Sequence, residues 1–187
     1  MAYQLPIDEK QLIEDLHDPA KAREGFAELV RLYGEGMYWQ IRKMVATHED
    51  ANDVLQNCFL KVWKNLNNFR GEAKLSTWLY KIAVNESINF LNKERSRVGI
   101  TDDSNDSFLL KNMESDEFVD GDALQLLLQK AIATLPEKQR LVFNMRYYDD
   151  MKYEEMSEVL GTSVGALKAS YHHAVKKVTA FVQNAEL

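Results

Sequence analysis

Apolar residues return at steps of three and four through the first third of the chain. Phe26, Leu29, Val30, Tyr33, Met37, Ile41 and Val45 fall on one stripe, which predicts an amphipathic helix. The polar stretch "ATHED" (46–50) ends it, and Thr47 with Asp50 resembles a helix-capping arrangement. A second helix is predicted from about 50 to 67, with Val54, Cys58, Phe59, Val62, Trp63 and Leu66 inward. After the loop "NNFRGEAKL", Ser76 or Thr77 can cap a third helix, "STWLYKIAVNESINFLNKERSR". Periodicity then fails over residues 98–122 and resumes in "ALQLLLQKAIATL". Pro136 suits the first helical position of "PEKQRLVFNMRYY", because proline lacks the N–H that such a position leaves unpaired anyway. "YEEMSEVLG" and "GTSVGALKASYHHAVKK" follow, with Met156, Val159 and Leu160 facing Val164, Leu167, Tyr171, Ala174 and Val178. A short helix, a glycine suited to positive φ at Gly161 and a second helix capped by Thr162 or Ser163 have the spacing of a helix-turn-helix.

Three prolines and eight glycines in 187 residues leave little material for turns. The expectation is therefore an all-α protein of two small helical domains joined by a flexible acidic linker. The predicted boundaries are 1–97 for a helical bundle with an N-terminal extension, 98–121 for the linker, and 122–187 for the helix-turn-helix domain. No apolar run approaches the roughly 18 residues that a membrane span needs, and the N-terminus has no signal-peptide pattern. The single cysteine, Cys58, excludes an internal disulfide and reads as a core residue. A cytoplasmic protein without membrane insertion fits these features.

The net charge of −6 changes meaning once it is located. Residues 98–122 carry eight acidic groups against Lys111 alone, a net of −7, whereas residues 51–97 carry +4. The acidity belongs to the linker, so the helical parts remain able to meet a polyanion.

Three polar faces are candidates for chemistry. On the second helix Asp53, Gln56, Asn57, Leu60 and Lys64 form one stripe, a solvated face or a docking surface. On the third, Trp78, Lys81, Asn85, Asn89 and Asn92 share a face. Asparagine is a poor helix former, but its amide can read base edges. Arg70, Lys74, Lys93, Arg95 and Arg97 add phosphate-seeking charge, and Phe69, Trp78 and Tyr80 offer flat rings; cations interleaved with aromatics suit single-stranded nucleic acid. On the last helix Lys168, Ala169, His172, His173 and Lys176 point outward. The adjacent histidines diverge by about 100° and make a poor metal pair. No metal site, cofactor or catalytic constellation is expected, so the protein reads as a non-enzyme. An autonomous helix-turn-helix regulator and an all-helical adaptor both remain open on these residues alone.

The segments "DANDVLQNCFLKVWKNL", "FRGEAKLSTWLYKIAVNESINFL", "LPEKQRLVFNMRYYDDMKYEEMSEVLG" and "SVGALKASYHHAVKK", in that order, resemble the bacterial sigma-70 family, extracytoplasmic function (ECF) group. The resemblance covers about residues 20–185 and implies a sigma2-like and a sigma4-like domain that direct core RNA polymerase to promoter DNA. It implies polymerase binding by Asp53, Gln56, Asn57, Leu60 and Lys64. It implies minus-10 contacts by Phe69, Arg70, Lys74, Trp78, Lys81, Asn85 and Asn89. Lys168, Ala169, His172, His173 and Lys176 are the implied minus-35 readers, and an anti-sigma factor is the implied further partner. The chain departs from the family pattern at Asn57, where relatives commonly carry glutamate. It departs again at Ser170, His173 and Val175, where many carry arginine.

Overall fold

The computed structural model describes residues 9–45, 47–71, 73–97, 99 and 123–185. Among them are eight α-helices and no strand: α1 (Glu9–His17), α2 (Ala22–Arg42), α3 (His48–Asn65), α4 (Leu75–Arg97), α5 (Ala123–Ala133), α6 (Glu137–Tyr147), α7 (Tyr153–Leu160) and α8 (Val164–Asn184). A 3₁₀ turn over Leu66–Asn68 closes α3. The acidic linker falls almost wholly outside the described residues.

Local chemistry sets the helix starts. The Thr47 hydroxyl accepts the N–H of Asp50 at 3.1 Å, and the Ser163 hydroxyl accepts that of Ala166 at 3.3 Å; each satisfies one donor that a helix start leaves orphaned. Pro136 precedes α6 as its cap rather than occupying its first position. Ser76 and Thr77 lie inside α4, whose first residue is Leu75. Gly161 ends α7 with φ 62° and ψ 28°, a left-handed conformation that a Cβ would penalise.

The first module packs α1–α4 around Leu29, Ile41, Val54, Cys58, Val62, Leu75 and Leu79, each almost completely buried. Burying side chains of this size contributes about 1.5–3 kcal/mol each before entropy is subtracted. Leu12 and Leu16 seat α1 on this core. Gly25 makes the seat close: a Cβ there would lie 3.2 Å from the backbone nitrogen of Leu16. The second module, α5–α8, encloses Ala131, Ile132, Leu135, Phe143, Ala174 and Val178. Phe143 stacks on Tyr147 and Tyr171, with centroids 5.2 and 5.8 Å away.

A third cluster joins the modules. Met44, Tyr80 and Val84 of the first pack with Leu141, Val142, Met145, Met156, Val159 and Leu167 of the second. Polar links tie the same surface. Lys43 pairs with Asp149, which also accepts the Tyr80 hydroxyl at 2.8 Å. The Asn144 amide donates to the Lys43 carbonyl oxygen at 2.9 Å, and Arg95 pairs with Glu137 at 2.7 Å. In the described residues the two modules are therefore packed against each other.

Two side chains depart from expectation here. Arg95, expected among the surface cations, is buried against Glu137. Trp63, expected inward, is 42% exposed, with its ring edge-on to Phe26 at 5.0 Å. At about 100° per residue, Trp63 falls some 20° from Gln56 and well off the arc of Val54, Cys58 and Val62.

Candidate functional site

The stripe expected to meet a partner is built by α3 alone. Asp53, Gln56, Asn57, Leu60 and Lys64 are all exposed, while Val54, Cys58 and Val62 anchor the opposite side. Leu60 is 58% exposed, and the exposed Trp63 extends its apolar surface. An exposed leucine beside an exposed tryptophan, rimmed by an acid and amides, has the make-up of an interface centre. Trp39 on α2 is likewise exposed. Cys58, beneath the stripe, has its thiol pushed up to about 12 by burial, with the Glu86 carboxylate adding to the shift. It is not a nucleophile.

The face expected to meet nucleic acid in the first module lies on α4 and the loop before it. Lys81, Asn85, Asn89 and Asn92 are exposed in one row, and Arg70 and Lys74 are exposed at the loop. The three rings expected here separate into different roles. Phe69 is buried in the first core, and its centroid lies 4.9 Å from that of the half-buried Trp78. Tyr80 is buried at the module interface, where burial first and Asp149 second push its hydroxyl well above the usual tyrosine range. Trp78 is thus the one of the three that keeps open surface. Glu86, partly sheltered between helices, pairs with Lys61 of α3 and accepts the Asn89 amide at 3.4 Å. A bond of that length is weak.

The helix-turn-helix is formed by α7, Gly161 and α8. Leu167, Ala174 and Val178 face inward, leaving Lys168, Ala169, His172, His173 and Lys176 exposed together. Lys168 leans over the Tyr153 ring, its Nζ 5.6 Å from the centroid. The His172 and His173 rings lie 6.0 Å apart and edge-on. Among the described residues no cluster of three or more His, Cys, Asp or Glu side chains could hold a metal ion. No helix there is long and apolar enough to cross a membrane.

Sequence reasoning missed α1 as a structural element, the exposure of Trp63, and the interface through Tyr80 and Asp149. The Trp63 angle was available in the sequence. So was the wide spread of apolar positions on α4, which occupies more of the helix circumference than one neighbour can cover.

The three faces lie within segments that match known families. The Sigma-70 region 2 family model matches residues 29–97, and the Sigma-70 region 4 model matches residues 125–178. RNA polymerase sigma factor SigV of Bacillus subtilis is 30% identical over 132 residues, covering 71% of this chain and 75% of its own. The RNA polymerase sigma-H factor of Pseudomonas aeruginosa is 28% identical over 183 residues, covering 94% of each. The fold is similar to that of the sigma factor RpoE solved with the anti-sigma factor NepR from Bartonella quintana. There the TM-score is 0.66 at 18% identity, over 86% of this chain and 98% of that one. The chain belongs to the sigma-70 family, in its ECF group, whose members direct RNA polymerase to promoters.

Proposed function

We propose that each of the three exposed faces carries one step of promoter selection. The α3 stripe, Asp53, Gln56, Asn57, Leu60 and Lys64 with Trp63 beside it, docks on core polymerase. Arg70, Lys74, Trp78, Lys81, Asn85 and Asn89 take the minus-10 strand, with Phe69 behind the Trp78 ring. Lys168, Ala169, His172, His173 and Lys176 read the minus-35 duplex. The assignment divides the chain at 1–97, 98–121 and 122–187. It treats the protein as a non-catalytic, cytoplasmic subunit. An anti-sigma factor is a further partner, as the Bartonella relative has in its crystal.

The observation that carries this reading is the exposed row Lys81, Asn85, Asn89 and Asn92 on a helix whose other faces pack against both modules. Lysines on phosphates position a strand, whereas amides and an arginine guanidinium on base edges discriminate among bases. Extruding a base costs a few kcal/mol, and stacking returns roughly 1–3 kcal/mol per base. One open ring therefore traps a strand that is already opening, but does not melt a duplex alone. In the second module Lys168, Lys176 and Lys177 neutralise about three phosphates, for a log–log salt slope near −2.7. That is too weak for a stand-alone regulator.

The test is transcription in vitro from a fragmented genomic library, with core polymerase and with or without the protein. Specific starts that need the protein are expected, together with poor promoter binding by the protein alone. Tight sequence-specific binding by the free chain at physiological salt would instead identify an autonomous regulator.

A further inference from the structure

Helix α1 precedes the residues that the region 2 family model spans, yet it holds both ends of the minus-10 loop. At the entrance, the His17 ring sits between two carbonyl oxygens, with Nε2 3.0 Å from that of Phe69. Its Nδ1 lies 2.7 Å from the Ile13 carbonyl oxygen, within α1. At the exit, the Glu9 carboxylate accepts the N–H of Leu75 at 2.9 Å. Leu75 is the first residue of α4, so Glu9 supplies from another helix the cap that a neighbouring serine or threonine ordinarily supplies. Leu12 and Leu16 share one core with Phe69 and Leu75. The close backbone approach at Gly25 fixes α1 against α2.

Between the two anchors stand Arg70 and Lys74, both exposed, and the first turn of α4 carries Trp78. We propose that α1 is the positioning element of the minus-10 loop, with Glu9 and His17 as its two clamps. This rests on the assignment of Arg70, Lys74 and Trp78 to the minus-10 strand. Ordering a loop on binding costs conformational entropy, and tethering both ends removes part of that cost before DNA arrives. The same tether sharpens selectivity. A loop held in one shape accepts one base well, whereas a loose loop adjusts to several. Glu9 and His17 act through Phe69 and Leu75, and so are positioning residues.

The experiment uses the full chain with core polymerase on promoters randomised across the minus-10 element. Sequencing of the transcripts gives a preference at each position. Arg70→Ala tests the underlying assignment, Glu9→Ala and His17→Ala test the clamp, and Glu9→Gln keeps an acceptor oxygen. The expected result is a loss of discrimination of about tenfold, the upper scale of one ordinary hydrogen bond, in both clamp variants. It falls at the same minus-10 position that Arg70→Ala disturbs, with polymerase affinity retained and Glu9→Gln near wild type. Unchanged preference at Arg70→Ala sinks the loop assignment itself, and the clamp with it. If Arg70→Ala shifts the preference while both clamp variants match wild type, only the clamp is overturned. A uniform loss over all promoters, with a lowered melting temperature and unaltered base preference, reduces α1 to a structural prop and also overturns it.

Discussion

Lys43 and Asp149 lie 106 positions apart in sequence and form an ion pair that ties the end of α2 to the turn after α6. Both side chains are mostly sheltered. Asp149 also holds the Tyr80 hydroxyl, and the Lys43 ammonium stands 5.1 Å from the centre of the Tyr148 ring. Removing one member of a buried pair leaves a desolvated group without its partner, which costs more than an exposed pair ever contributes. The exposed pair Arg146–Asp150 is of the second kind.

Asp149→Ala is therefore expected to weaken the module interface by about 2–3 kcal/mol. Energy transfer between dyes on α3 and α8 should report a longer distance, with helix content by circular dichroism unchanged. The double exchange Lys43→Asp with Asp149→Lys should recover part of the short distance. Equal distances in wild type and Asp149→Ala would show that the apolar cluster and the remaining polar links hold the modules without Asp149.

Leu60→Glu places a charge at the centre of the α3 stripe. Because Leu60 is exposed in the free chain, stability should hold within about 0.5 kcal/mol. Association with core polymerase should fall about tenfold or more, and Trp63→Ala should act in the same direction. Surface-immobilised polymerase would measure both; wild-type affinity in both variants would remove α3 from the docking surface.

Asn85→Ala removes an exposed amide without touching the core. Since such contacts carry about 1–3 kcal/mol of base discrimination, promoter opening followed by permanganate reactivity should drop about tenfold. Polymerase binding should stay as it was. Parallel losses in both would indicate a damaged fold.

Stability should decline at alkaline pH. Burial raises the Cys58 thiol from 9.0 to about 12 and holds the Tyr80 hydroxyl well above 10.0. A folded state that keeps protons the unfolded chain releases is stabilised in full below the unfolded values. That contribution is lost as pH rises from about 9 toward the folded values. Urea titrations at pH 7 and pH 10.5 should show a lower midpoint at the higher pH, with a smaller drop in the double variant Cys58→Ala/Tyr80→Phe. At pH 8 a thiol reagent should label Cys58 only after unfolding.

How much of this was legible in the sequence depends on how many neighbours each helix has. Helix α3 has one buried stripe, and its periodicity gave the core positions and the exposed face correctly, apart from Trp63 at the border. The helix-turn-helix was also plain, because Gly161 and Ser163 act locally on φ and on an orphan N–H. Helix α4 was harder. Leu75, Leu79 and Ala83 face the first core, while Tyr80 and Val84 face the second module. A single-face reading therefore left the rest unassigned. Glu9 and His17 could not be read at all, since their hydrogen bonds reach partners 66 and 52 positions away.

The packing of the two modules sets a length that a promoter does not share. The roughly 150 described residues, packed as one body, correspond to a radius of gyration of about 15 Å. Elements centred near minus-10 and minus-35 lie roughly 25 base pairs apart, or about 85 Å along B-form DNA. A ruler folded in half cannot touch both marks, so the proposed reading of both elements by one chain requires the Lys43–Asp149 and Arg95–Glu137 pairs to part. The 25 residues from 98 to 122 can reach at most about 85 Å when fully extended, close to the separation that the open ruler has to cover.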